Sequence, residues 1–173
     1  MKSNTEIRAK GVEGEAELNT WLSKNGLCYV FLAQGIDTFA SLFPDAVKRP
    51  DFLILIESVG LIAVDAKNYK LSGGVYTLEL ESELIRVLTF ERLFRIPVWY
   101  AYKGADKDTG EVIWYWISAL KALEVGEKRE NTKQNLTFLA IKLEHFAIIR
   151  SGNDMGLLYT QRHKTIKSLA VEF

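Results

Sequence analysis

The sequence predicts an α/β sandwich in which a mixed central sheet carries helices on both faces. Three observations lead there. An N-terminal segment has apolar residues at helical spacing, two apolar runs are separated by a turn of hairpin length, and helix-like and strand-like segments alternate afterwards. With 173 residues, 48% of them apolar and 12% aromatic, the chain is large enough to bury one substantial core and falls among ordered globular proteins. It contains no internal repeat, no Pro- or Ser-rich linker and no break in composition, so residues 1–173 read as a single domain.

The segment GVEGEAELNTWLSKNGL predicts a helix from about Val12 to Lys24, with Leu18, Trp21 and Leu22 on one stripe and Asn25-Gly26 as its stop. Glu15 precedes Leu18 by three and Leu22 by seven, which places it on or beside that inward stripe. Glu13 falls on a more solvated side and Glu17 between the two. A strand is expected over Leu27–Ala33, then an irregular loop through Phe43 and Pro44. Two further strands, Asp51–Ile56 and Leu61–Lys67, flank the turn Glu57, Ser58, Val59, Gly60 and read as a hairpin. With a three-residue loop, Ile56 pairs with Gly60 and Asp51 lies opposite Asp65, their Cβ atoms about 5 Å apart. A two-residue loop shifts this register by one.

NYKLSGG reads as a loop with Gly73-Gly74 as a flexible connector, and VYTLEL as a strand extension. A helix follows from Ser82 to Arg95 with Leu84, Val87, Leu88 and Phe94 inward, closed by Pro97. Strands are expected at Val98–Lys103 and Val112–Ile117 around the turn GADKDTG. After them come a short helix in ISALKALE, a polar loop GEKRENTKQN, a strand FLAIKL and mixed structure beyond His145. Trp99, Tyr100, Tyr102, Trp114, Tyr115 and Trp116 are expected to pack in the core rather than stack on bases.

Acidic and basic residues number 22 each, so the overall field does not draw the chain toward nucleic acid. Polyanion binding would fall to local patches: Lys48 with Arg49, Lys67 with Lys70, Arg92 with Arg95, Lys128 with Arg129, and the tail residues Arg162, Lys164 and Lys167. No apolar run approaches the ~20 residues of a membrane span, and MKSNTEIRAK lacks the apolar centre of a signal peptide. A cytoplasmic location without a membrane partner is expected. Cys28 is the single cysteine, which leaves no internal disulfide and no cysteine-based metal site, and it is expected to be a buried thiol. His145 and His163 are far apart in sequence and are read as structural or solvated, and no serine or cysteine has a nucleophile motif around it.

Asp65 stands out because Leu61, Ile62, Ala63 and Val64 precede it in a strand that reads as covered on both faces, where an unpaired charge is costly. Asp51 opposite it and Glu15 from the helix would add repulsion and resist ionisation. A hard divalent ion such as Mg²⁺ relieves this, since it is held by carboxylates, waters and phosphate oxygens. Lys67, two residues after Asp65 on the same face, would reach an attacking water or a scissile phosphate. There it would orient or deprotonate the water, or offset charge growing on phosphorus-bound oxygens.

Pro50-Asp51, followed one hairpin later by Asp65-Ala66-Lys67, resembles the PD-(D/E)XK nuclease motif, and Glu15 resembles the upstream helix glutamate of many members. GVEGE, the aspartate-bearing hairpin and DAKN together are similar to nuclease-related domain proteins, and more distantly to Holliday-junction resolvases and type II restriction enzymes. The motif match spans Gly11 to Asn68, and the element order extends it to about Lys103. The resemblance implies a restriction-endonuclease-like αβββαβ core over about residues 11–103 with a C-terminal elaboration over about 104–173. It implies Mg²⁺- or Mn²⁺-dependent hydrolysis of DNA phosphodiesters and a possible homodimer. Asp51, Asp65 and the Ala66 carbonyl are implied as metal ligands, Glu15 as ligand or orienter of a second metal or its water, and Lys67 as the catalytic lysine. The helix after the motif often contributes a polar residue, frequently glutamine. Here it offers Glu83, Arg86, Glu91 and Arg92, none of which is assigned that role. The alternative expectation is an inactive module of the same fold that binds nucleic acid or a protein.

Overall fold

Leu18, Trp21 and Leu22 are buried along helix α1, which spans Asn4–Lys24 and so begins about two turns before the expected Val12. Gly26, at φ 67°, turns the chain out of the helix as the Asn25-Gly26 stop predicts. The computed structural model describes residues 4–32, 46–106, 108–132 and 135–160. The expected loop through Phe43 and Pro44, the end of the first strand at Ala33, His163 and the basic tail lie outside them.

Strands β1 (Cys28–Phe31), β2 (Phe52–Ile56) and β3 (Gly60–Lys67) form an antiparallel meander. Ile56 pairs with Gly60 and Phe52 with Val64, the register of a three-residue loop. After β4 (Val75–Glu79) the chain makes a π-helical turn over Leu80–Ile85 and then helix α2 (Arg86–Phe94). Strand β5 (Val98–Ala105) returns parallel to β3, and β6 (Val112–Ser118) runs antiparallel to β5. Helix α3 (Ala119–Val125), β7 (Glu127–Asn131), β8 (Leu136–Lys142) and β9 (Ala147–Ile149) follow, and a 3₁₀ segment spans Gly152–Tyr159.

The central sheet has six strands in the order β1-β2-β3-β5-β6-β9, and β4, β8 and β7 form a separate three-stranded sheet. Alternating residues feed two cores. On one face Phe52, Ile54, Val64, Trp99, Trp114 and Trp116 pack with Leu18, Trp21 and Leu22 of α1. On the other, Ala63, Tyr100, Tyr102 and Tyr115 pack with Leu84 and Val87, with α3 and with the small sheet. The six aromatics expected in the core are all buried there. The chain is thus α/β, with a mixed sheet covered by helices on both faces. Among the described residues no helix is long and apolar enough to cross a membrane.

Four expectations are corrected. Cys28 is exposed, because β1 is the edge strand and three of its four residues face solvent. Phe94 is 47% exposed and stacks on Phe90, which takes the inward position instead. GEKRENTKQN is not wholly a loop, since Glu127–Asn131 pairs with β8. VYTLEL does not extend a neighbouring strand but forms one of its own, β4, paired with β8 in the small sheet.

Candidate active site

The central sheet opens where β2 begins. Phe52 is the first β2 residue paired with β3, opposite Val64, so β3 runs on beyond it toward Lys67 without that neighbour. The Ala66 amide, which a continued ladder would have used, donates instead to Asp51 Oδ2 at 2.8 Å. This draws the Asp51 carboxyl against Asp65, and the two side chains hydrogen-bond to each other in a region where both are buried. The expected Asp51–Asp65 meeting is therefore present. Ala66 enters it through its amide.

Alternation along β3 points Ala63, Asp65 and Lys67 to the α2 face. There Lys67 Nζ lies 3.1 Å from Asp65 Oδ2 and also donates to Glu83 Oε2. Lys48 Nζ reaches the same two oxygens, 2.6 Å from Asp65 Oδ2 and 2.6 Å from Glu83 Oε2. Two ammonium groups thus bridge two carboxylates. Glu83 is delivered by the π-helical turn, a widened geometry that recurs at functional sites. Tyr100 is the β5 partner of Asp65, and its buried hydroxyl has no hydrogen-bond partner among the described residues. Its ring centroid is 5.5 Å from Lys67 Nζ.

Glu15 comes from the other side. Gly14 is buried against the end of β3, where a Cβ would stand 2.9 Å from Asn68 Cβ. The missing side chain lets α1 approach closely, and Glu13 fastens the contact by accepting from Asn68 Nδ2 at 3.2 Å. Glu15, half-buried, then lies close enough to Asp65 for that charge to act on it.

Burial, then the neighbouring Asp65 charge, pushes the Asp51 carboxyl up to about 9. Burial also pushes Asp65 up, but Lys48, Lys67 and the hydrogen bond from Asp51 outweigh it and hold Asp65 below the usual carboxylate range. The two carboxyls share one proton, which burial and the Asp65 charge favour on Asp51. Glu15 is raised by burial and by Asp65. For Lys67, burial opposes the charge, yet Asp65 and Glu83 prevail and keep the ammonium well above its ordinary value. Tyr100 is held neutral, first by burial and then by Asp65.

Of the residues expected at the site, Asp51, Asp65 and Lys67 are therefore in mutual contact, and Glu15 lies within electrostatic reach of Asp65. Two others were missed. Glu83 sits four residues before buried Val87, so helical periodicity places it inward. Lys48 carries no sequence signal beyond its nearness to Pro50-Asp51. Of the other basic patches, Lys70, Arg92 and Arg95 are exposed, and half-exposed His145 lies 3.8 Å from Glu144 at the surface.

Carboxylate oxygens around an orphaned buried hydroxyl suit a hard divalent cation by donor chemistry. Among the described residues, no three Asp, Glu, His or Cys side chains already stand in metal-holding array. Ammonium nitrogens bridge the carboxylates instead. Comparison of the chain with protein-family models, with curated proteins and with solved structures gives no match.

Proposed function

We propose that this chain is a Mg²⁺- or Mn²⁺-dependent DNA endonuclease, with Glu15, Asp51, Asp65 and Lys67 as its working residues. The observation that carries the reading is the buried Asp51–Asp65 pair, in contact with Lys67 where two strands part. The element order supports it: α1, the meander β1–β3, then, after β4 of the small sheet and the π-helical turn, α2 and a β5 parallel to β3, the order of a restriction-endonuclease-like αβββαβ core with β4 inserted.

Asp51, Asp65, the Ala66 carbonyl and Glu15 would hold the ion. When bound, such an ion supplies positive charge at the phosphodiester and acidifies water. The remaining work falls to side chains. Lys67, held protonated by Asp65 and Glu83, acts as a fixed positive charge toward phosphate oxygens rather than as a proton acceptor. Glu15, half-buried with a raised affinity for protons, is suited to orient the attacking water. Burial of Asp65 and Lys67 keeps bulk water from screening these charges.

The test incubates plasmid, linear and branched DNA with purified protein in Mg²⁺ or Mn²⁺, beside Asp65→Ala and Lys67→Ala. Cleavage is expected to fall by a factor on the order of 100 or more in each variant. Equal cleavage by the variants removes the site assignment. DNA binding without metal-dependent cutting favours the binding-only module.

A further inference from the structure

Lys48 has no part in the mechanism above, yet its ammonium makes two of the four ion pairs at the site. Its placement is built in. The Lys48 amide donates to the Arg86 carbonyl at 3.2 Å, and Arg86 Nη2 donates to the Val47 carbonyl at 3.3 Å. Val47 is buried in the core and Pro50 is buried beyond it. The root of the side chain is thus pinned to α2 while its tip rests on Asp65 Oδ2 and Glu83 Oε2.

Lys67 already bridges the same two oxygens, so the second ammonium duplicates a neutralising role. The two lysines differ in exposure. The Lys67 side chain is 7% exposed and that of Lys48 25%, so Lys48 is the one with a path to water. A divalent ion that engages Asp65 through Oδ2 competes with Lys48 for that oxygen's lone pairs.

We propose that Lys48 is a tethered counter-ion that competes with the divalent metal for Asp65 Oδ2, with Glu83 as its second anchor, so that metal binding at that oxygen requires its ammonium to swing out toward solvent. The inference rests on the metal-dependent reading above and adds a control of metal affinity to it. Released at the mouth of the site, the same ammonium becomes available to an incoming phosphate.

The experiment is calorimetric titration of MnCl₂ into the metal-free full chain, without DNA, for wild type, Lys48→Met, Lys48→Arg and Asp65→Asn. Lys48→Met is expected to bind Mn²⁺ roughly 10- to 100-fold more tightly, the range expected when a charge-assisted hydrogen bond no longer has to be broken. Lys48→Arg, which keeps the charge, stays near wild type, and Asp65→Asn loses binding. A purely structural Lys48 would give the opposite sign, because its loss would loosen the carboxylates. Equal or weaker binding by Lys48→Met overturns the proposal while leaving the metal site standing. Absence of Mn²⁺ binding in wild type and Lys48→Met alike overturns the metal-dependent reading itself, and the proposal with it. A second readout needs no variant: saturating Mn²⁺ should speed modification of Lys48 in the wild-type chain by an amine-reactive reagent, read by mass spectrometry. An unchanged rate under saturating Mn²⁺ also overturns the proposal.

Discussion

Replacing Asp51 by asparagine should stabilise the metal-free protein, although it removes a proposed ligand. Asp51 is raised from 3.8 to about 9 by burial and by Asp65, so the folded chain keeps a proton there that the unfolded chain has released. A group raised in this way contributes stability that is complete below its unfolded value and is lost as pH climbs toward the folded one. Each unit costs about 1.4 kcal/mol, so from 3.8 to pH 7 the loss is roughly 4 kcal/mol. The proton is shared with Asp65, and the gain assigned to the substitution is therefore on the order of 2–4 kcal/mol at pH 7. Asparagine fits the slot. Its amide N–H can donate to Asp65 permanently, and its oxygen can accept from Ala66 as the carboxylate does at 2.8 Å. The assay is urea denaturation in EDTA at pH 5 and pH 8, where Asp51→Asn should gain more at pH 8, beside thermal unfolding at pH 7, where it should raise the melting temperature by roughly 5–15 °C. A gain independent of pH, or a loss at pH 8, refutes the shared-proton account.

Two further outcomes follow from packing. Gly14→Ala places a Cβ 2.9 Å from Asn68 Cβ and should cost about 1–3 kcal/mol in urea denaturation. Gly11→Ala in the same helix meets nothing within 4 Å and should add about 0.5–1 kcal/mol, and equal effects at both positions would show that α1 does not press on β3 at Gly14. Tyr100→Phe deletes a buried hydroxyl that has no partner among the described residues, and should stabilise the metal-free chain by about 1 kcal/mol. Destabilisation there would mean that the hydroxyl is bonded in the free protein.

What could be read from the sequence was what depends on local pattern. Leu18, Trp21 and Leu22 mark the buried stripe of α1, and the turn of three residues sets the Ile56–Gly60 register that brings Asp51 to Asp65. Asp65 and Lys67 stood out because charge within an apolar run must be compensated. What escaped depends on distant partners or lacks apolar contrast. β4 pairs with a strand more than sixty residues onward, Val75 with Lys142, and no local signal announces that. β7 reads EKREN, four of its residues exposed, so a strand held only by its ladder with β8 looks like a loop. Cys28 looked buried by residue type, but a four-residue edge strand has too little cover. Lys48 was legible only as a surface charge, because a long side chain reaches its partners through tertiary placement.

The site is a consequence of how the sheet parts. Because β2 begins only at Phe52, the Ala66 amide needs an acceptor, and a carboxylate is the one supplied. That acceptor brings a second negative group to Asp65 inside the protein, a cost that an amide or a hydroxyl at position 51 would not impose. Lys48 and Lys67 offset Asp65 and Glu83, and the proton on Asp51 offsets the rest only while it stays bound. With Glu15 and Asp51 ionised as well, four carboxylates face two ammonium groups and the site lacks two positive charges. A divalent cation supplies that number in one group. A surface ion-pair network would have no reason to bury Asp65 or to leave the buried Tyr100 hydroxyl without a partner among the described residues. Arrangements that hold charge at a loss in the free protein are those whose stability rises when a ligand arrives. Added Mn²⁺ should therefore stabilise wild type more than Asp51→Asn, narrowing or reversing the gap between them seen in EDTA.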